Sequence, residues 1–450
     1  MKKSNLIIFI TIVIISGFSV LSAETGIDLN GYFQTDNRIF IKDDHNFSWH
    51  EYRLDLQLEA YPSDNTHFFS EVWLRSIGNS NIQSSSDLSE IDKIASSNLY
   101  FKEAYLDVYG FLCKDIDVRI GRQRITWGTA DKLNPTDNLN PDDLEDMWDF
   151  GRHLSSDGLK ATYYLGDYEL SAVYIPKFTP AVLPGGEWAT ALSPSFDLPT
   201  GLVLRNYSDK IIMPENNLKE QSIIGTKFSG NLLNYDLSVS YIYGRDYLPL
   251  INKAKFTPVD ALGTIDISAE MIFPRMHIAG FDLAGTLGNI GIWAETAVFF
   301  PEEILLSTDL SELGMGIQET IALDDEPYIK YVFGGDYTFT NGIYVNAQYL
   351  HGFIHERGTD NLEDYLMFGL EKKFFEEKLK IMPLNGGLEI KDFDDFKENY
   401  AVIFTPEITY YPYDNVELIL GTHIIDGKES STFGKMNDSD DIYFKAKVSF

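Results

Sequence analysis

At 450 residues, with 68 acidic side chains against 36 basic ones, the chain carries a formal charge of −32. A nucleic-acid binder neutralises phosphates with Lys and Arg, so this balance excludes a nucleic-acid partner, and a single cysteine, Cys113, excludes an internal disulfide. Mean hydropathy is −0.15 although 44% of residues are hydrophobic and 14% aromatic; no run beyond the leader is long and apolar enough for a helical span, as expected of strands that show lipid only every second residue.

The first residues read as a secretory leader. Lys2 and Lys3 precede the apolar run Leu6 to Val20, and Leu21-Ser22-Ala23 offers small residues for cleavage before Glu24. The domain reading is therefore a signal peptide over 1–23 and one β-barrel over 24–450, with no further domain.

From there period-2 alternation dominates. In Tyr52 to Ala60, Tyr52, Leu54, Leu56, Leu58 and Ala60 oppose Arg53, Asp55, Gln57 and Glu59. Similar stretches are expected near 27–41, 47–61, 67–77, 98–111, 115–128, 157–165, 167–176, 219–229 and 233–244. Others are expected near 271–286, 289–301, 327–340, 342–353, 363–375, 378–392, 399–411, 414–425 and 440–450. These make about eighteen strands, with sixteen as the alternative; a bacterial single-chain barrel needs an even number. Short turns such as Leu165-Gly-Asp167, Leu287-Gly-Asn289 and Asn341-Gly342 alternate with long polar connections near 78–97, 129–156, 177–218, 245–270, 302–326 and 426–439. The expected fold is thus all-β, a transmembrane antiparallel β-barrel with short periplasmic turns and long extracellular loops. Aromatic pairs near strand ends, Phe299-Phe300, Phe374-Phe375 and Tyr410-Tyr411, suit interfacial girdles. Cys113 falls in a short turn, as a structural bystander.

One motif stands apart: Gly121-Arg-Gln-Arg-Ile-Thr-Trp-Gly128, then Asp131-Lys-Leu-Asn-Pro-Thr-Asp-Asn-Leu-Asn-Pro-Asp-Asp143. It resembles the alginate-export-like outer-membrane porins and related uncharacterised barrel families, over about twenty-five residues. The resemblance implies an outer-membrane channel for passive diffusion of a small hydrophilic solute, with saccharides among the candidates. Arg119, Arg122, Gln123, Arg124, Trp127, Asp131 and Asp137 are the expected pore and constriction residues. Alternation from lipid-facing Ile116, Val118 and Ile120 aims Arg119 and Gln123 at the lumen and leaves Arg122 and Arg124 facing lipid, a costly placement at mid-membrane. Either a bulge at Gly121 turns both arginines into the pore, the favoured reading, or both lie above the hydrocarbon at the outer rim. The acidic loop that follows (Asp137, Asp142, Asp143, Glu145, Asp146, Asp149) either folds inward to face these arginines across a constriction or stays a solvated surface loop. A calcium site there is a weaker alternative.

Catalytic signatures are missing: the eight histidines are scattered, with no nucleophile elbow and no paired-histidine helix. His351 and His355 share one face of a proposed strand about 13 Å apart, too far to hold one metal. No enzyme, cofactor or metal is expected. The chain ends Asp440-Asp-Ile-Tyr-Phe-Lys-Ala-Lys-Val-Ser-Phe450, apolar on one face and polar on the other. This resembles the terminal strand of outer-membrane barrels, whose closing Phe the barrel-assembly machinery reads. The expected partners are that machinery, outer-membrane lipids and a small solute. Two rivals remain. A barrel delivering hydrophobic substrates sideways into the membrane needs an apolar lumenal pocket and a kinked strand, and an outer-membrane hydrolase needs a His site near the outer rim.

Overall fold

The computed structural model describes residues 26–450 apart from 43–44, 79–81, 83, 186–187, 190, 193–197, 199–200 and 261. The expected leader, 1–23, lies outside the described residues.

The wall opens with β1 (Ile27–Phe40), β2 (Phe47–Ser63), β3 (Thr66–Ile77), β4 (Asn98–Val108), β5 (Ile116–Gln123), β6 (Ser156–Leu165) and β7 (Tyr168–Ile175). Here β8 (Val203–Ile211) leaves it, and β9 (Ile223–Leu232) and β10 (Tyr235–Arg245) return to it. Two further excursions, β11 (Leu250–Pro258) with β12 (Thr264–Ile272) and β15 (Ile304–Leu310) with β16 (Gly316–Leu323), flank the wall pair β13 (Arg275–Leu287) and β14 (Ile290–Pro301). The circuit continues through β17 (Tyr328–Thr338), β18 (Ile343–His351), β19 (Asp364–Phe374) and β20 (Leu379–Ile390). It finishes with β21 (Tyr400–Phe404), β22 (Glu407–Tyr413), β23 (Val416–Gly427) and β24 (Asp441–Ser449).

Every wall strand pairs antiparallel with its neighbours, and β24 returns to β1, with Phe33 opposite Val448. Phe450 N–H donates to Gly31 O (3.0 Å) and Gly31 N–H to Phe450 O (3.1 Å), so the last residue is part of the closing seam. β21 and β22 are two halves of one wall strand interrupted at Thr405-Pro406, because Pro406 has no N–H to give the ladder. Counted that way the barrel is closed and eighteen-stranded, and the wall strands coincide with the expected eighteen stretches.

The burial pattern is inverted relative to a water-soluble protein. Asp36, Arg38, Glu51, Arg53, Asp55 and Glu71 point inward and are all at most 7% exposed, while Tyr52, Leu106, Ile120, Val239, Phe333 and Phe444 point outward and are at least 37% exposed. Only a hydrocarbon solvent makes that arrangement favourable, since apolar side chains then lose nothing by facing out. The terminal strand alternates as expected, Ile442 and Phe444 outward against buried Tyr443. Phe299, expected in an interfacial girdle, instead faces inward and stacks on Tyr328 at a centroid distance of 5.0 Å.

The long connections differ from expectation. Those at 177–218, 245–270 and 302–326, read as polar loops, together build a second, five-stranded sheet ordered β16-β15-β11-β12-β8. Hairpins β11–β12 and β15–β16 are antiparallel, but β11–β15 and β12–β8 run parallel, joining segments from three different loops. Ala254, Phe256, Ile265, Ile267 and Leu310 form its own small core. The apolar faces of these runs meet one another in that core instead of facing lipid.

An eighteen-stranded barrel is too wide for its wall side chains to fill. The connection between β5 and β6 occupies that space.

Candidate functional site

Residues 124–155 turn inward where β5 ends at Gln123. Asn140 holds the two ends of this loop together: its amide nitrogen donates to Gln123 O and Ser156 Oγ (both 3.2 Å), and its amide oxygen accepts from Ile125 N–H (2.7 Å). Trp127 and Leu139, 3% and 0% exposed, then pack against Val173, Ile175, Ile223 and Ile242 of the wall. Tyr247 of a neighbouring loop clamps the same turn by donating to Leu139 O (2.8 Å).

The tip reaches the far side of the barrel. There the buried Glu295 carboxylate of β14 accepts from Thr129 N–H, Ala130 N–H (2.6 Å), Asn134 Nδ2 (2.7 Å), Thr136 N–H and Thr136 Oγ1 (2.8 Å). Gly128 lies against that carboxylate at φ +97°; a Cβ there would come within 2.6 Å of Glu295 Oε1, so only glycine admits the approach. Two strands further, on β18, Gln348 accepts from Asp131 N–H (3.2 Å) and donates to Asp131 O (3.1 Å).

Ion pairs fix the returning limb. Arg38 of β1 grips Asp146 with two bonds (2.7 and 2.5 Å) and Asp36 with two more (3.1 and 2.7 Å). Arg75 of β3 and Arg152 both reach Glu145 Oε2 (2.8 and 2.9 Å), and Arg152 Nε donates to Asp143 (2.8 Å). Burial pushes the Asp146 carboxyl up, but the Arg38 guanidinium outweighs it and holds the group well below the usual carboxylate range. For Arg152 burial disfavours the charge, and the bond and field of Asp143 with the field of Asp146 more than restore it. Trp148 lies flat on His423 of β23, ring centroids 4.0 Å apart.

The expected pore residues therefore separate. Arg119 faces the lumen on the lower wall, paired with Asp107 (2.7 Å) and laid 3.8 Å over the Tyr105 ring, away from the loop. Gln123 is fully buried and bonds Gly158 O (3.0 Å) within the wall. Arg124 meets Asp137 and Asn140 of its own loop. Trp127 is a packing residue, and Asp131, exposed, borders the remaining lumenal space.

The bulge at Gly121 does not form. β5 pairs without a register shift from Ile116 to Gln123, so Arg122 shares the outward face with Ile120 and Leu106 and pairs with Asp157 (3.3 Å) at the outer end of the strand. Arg124 turns inward for a different reason: the strand has already ended. At Gly121 φ is +129° and a Cβ would sit 2.3 Å from Ala104 O, so only glycine fits there. Arg122→Ala should thus leave single-channel conductance unchanged and stability within about 0.5 kcal/mol, as for ordinary surface substitutions; bilayer recording and heat-modified gel mobility check both.

The acidic loop is likewise not a solvated surface loop: Asp137, Asp142, Asp143, Glu145 and Asp146 contact basic groups directly instead of facing them across a gap, while Asp149 is exposed. His355 lies in the loop after β18, not on its face with His351; burial, Lys330 and Arg357 push its imidazole down to about 3, so it is neutral at pH 7.

Space lies on both sides of the inward loop. A small cavity of about 80 Å³ borders Asn134, Asp137 and Asn138 of the loop and Tyr247, Phe299 and Tyr328 opposite, and a larger one of about 340 Å³ runs between Leu133, Trp148 and Phe150 and the wall strands β18 to β21. Its outer end is closed by Phe150, Phe353, Tyr365 and Phe433, which meet edge to face at 5.6 to 6.3 Å, except Phe353 and Tyr365, tilted at 5.1 Å. Toward the short-turn rim the wall carries the charge pairs Glu417 with Lys447 (3.5 Å) and Glu407 with Lys380 (3.4 Å). The residues that anchor the loop, Glu295, Gln348, Arg38 and Asn140, were not singled out from sequence. Asn140 sits inside the motif, but nothing local marks the other three.

A closed barrel, apolar outside and polar inside with a loop folded into its lumen, is an outer-membrane β-barrel of the porin fold. No protein-family model and no curated protein matches the chain. Among solved structures, OccAB1 of Acinetobacter baumannii is 10% identical over 94% of this chain and 96% of its own, with a TM-score of 0.52. OmpF of Salmonella typhi, in complex with daunomycin, gives 9% over 95% and 98% (TM-score 0.41), and OmpT, an outer membrane protein of Vibrio cholerae, 12% over 94% and 97% (0.42).

Proposed function

We propose that the chain is an outer-membrane channel for passive diffusion of small hydrophilic solutes, saccharide-sized compounds included, with the inward loop as its restriction. The observation that carries this reading is the pinning of residues 124–155 to opposite walls by Glu295 and Arg38. The loop narrows the lumen while the wall toward the short turns stays lined with charge pairs. A mixed-sign wall solvates polar molecules of either charge, and the net acidity biases the entrance toward cations. The motif's resemblance to alginate-export-like porins supports the same class. In this reading Phe450, already hydrogen-bonded in the closing seam, is the residue that the assembly machinery recognises, and membrane lipid is the partner of the outward band.

The test is conductance in planar bilayers. Folded protein should give discrete steps with a cation-biased reversal potential in a salt gradient, and saccharides of increasing size should block at a cut-off. Silence from protein with folded gel mobility would refute the channel.

A further inference from the structure

The barrel wall is weakest where it borders the lumenal cavity. Lys372 pairs with Ile381 but Leu370 with Leu384, so two residues of β19 span three of β20. On the other side Glu407 pairs with Met382 but Phe404 with Gly386. The extra residue in both ladders is at Pro383, directly across from the break at Pro406. Two prolines thus remove two ladder donors from one stretch of a wall in which every lost backbone bond is costly in hydrocarbon.

Side chains are thin there as well. Gly369 and Gly387 fall on the lumenal face, in line with Met367 and Glu389, and Gly386 falls on the lipid face between Leu384 and Leu388. At Gly386-Gly387 only backbone separates cavity from lipid. At the break itself the strands are joined by a side-chain latch, Asn385 Nδ2 donating to Thr405 Oγ1 (2.8 Å), beside the backbone bond from Thr405 N–H to Asn385 O (2.7 Å), and the regular ladder resumes on either side.

We propose that this cavity binds a small amphipathic molecule with a hydrocarbon or aromatic body, and that the Asn385–Thr405 seam between β20 and β21–β22 is its lateral doorway to the membrane. Trp148, Phe150, Met367, Met382 and Ile403 supply an apolar surface that a freely hydrated solute does not need, and Asn346 and Gln348 supply polar partners for a head group. A volume of 340 Å³ lies within the range of small-molecule sites, roughly 300–1,000 Å³. Lipid-facing Leu384 and Ile408, 50% and 45% exposed, border the doorway on the outside. The proposal does not depend on hydrophilic solutes crossing the barrel.

The experiment uses full-length protein in nanodiscs with dansyl-undecanoic acid as probe. Saturable binding is expected by energy transfer from tryptophan, weakened many-fold in Gly387→Leu. That substitution is accommodated by the backbone, because the nearest atoms to a new Cβ are Leu366 O at 3.4 Å and Met367 Cγ at 3.5 Å. Gly369→Leu fills the cavity from a second position, with Asn385 Oδ1 at 3.4 Å. In vesicles carrying quencher-labelled acyl chains, the double variant Asn385→Cys/Thr405→Cys should release bound probe into lipid many-fold more slowly when oxidised, and recover on reduction. Unsaturable wild-type binding, undiminished binding in whichever filled variant folds, or equal release in the two redox states each overturns the proposal. Ion conductance recorded on the same samples tests the channel separately.

Discussion

Glu295→Ala should raise single-channel conductance several-fold, because it frees the tip of the inward loop from the far wall. The carboxylate takes hydrogen bonds from Thr129, Ala130, Asn134 and Thr136 in a position that is 2% exposed. Bonds to a charged acceptor contribute about 1.5–3 kcal/mol each, but the freed donors find water once the tip lifts. The net loss is therefore several kcal/mol of loop anchorage, not the full sum. The barrel ladder is untouched, so heat-modified gel mobility stays that of folded protein. Limited proteolysis between residues 129 and 136 should accelerate in step with the conductance. Glu295→Gln keeps one acceptor oxygen and should fall between the two. Unchanged conductance with unchanged proteolysis would show that the tip is held from elsewhere.

That anchor illustrates which parts of the molecule are legible in the sequence. Lipid demands apolar side chains on one face of every wall strand, so β2 or β24 announces itself by alternation alone, and the eighteen strands can be placed one by one. The loop's destination has no such local signature. Gly128 is visible as a glycine beside Trp127, but the reason for it, Glu295, lies far along the chain and looks like any other inward polar residue of β14. Arg122 and Arg124 show the opposite failure. Alternation correctly aims Arg122 outward, and only the cost of a lipid-facing arginine argues for a bulge. The strand's outer end, where the pair with Asp157 sits, removes the expense. The second sheet has no local signature because its parallel pairings, β11–β15 and β12–β8, join segments from different loops. Pro406 was visible inside the stretch 399–411, but its consequence depends on Pro383 standing opposite.

Arg38→Met should loosen the returning limb of the loop and reverse its response to pH. In the native protein Arg38 holds Asp36 and Asp146 together, all three nearly excluded from water. Removing one partner from a buried ion pair typically costs 3–5 kcal/mol, because the remaining charge is stranded. Lys445, 3.3 Å from Asp36, offsets part of that. The sign of the pH effect follows from Asp146. Burial raises its pKa, and the Arg38 charge more than compensates, so the folded value is depressed. A depressed carboxylate contributes stability that is complete above its unfolded pKa, about 3.9, and lost only as pH falls through the folded value. Between pH 7 and pH 5 the native loop should therefore hold, by both conductance and protease resistance. Without Arg38 burial, the largest cause, is opposed only by the field of Lys445 and the bond from Trp148 N–H, so the folded pKa is expected above the unfolded one. Stability is then complete below about 3.9 and declines as pH rises through the folded value. The variant should be open and protease-sensitive at pH 7 and become tighter toward pH 4, while Asp146→Asn in the Arg38→Met background should abolish that recovery. A variant that loosens equally at pH 7 and pH 4 would show that the limb is held by Arg75 and Arg152 through Glu145 instead.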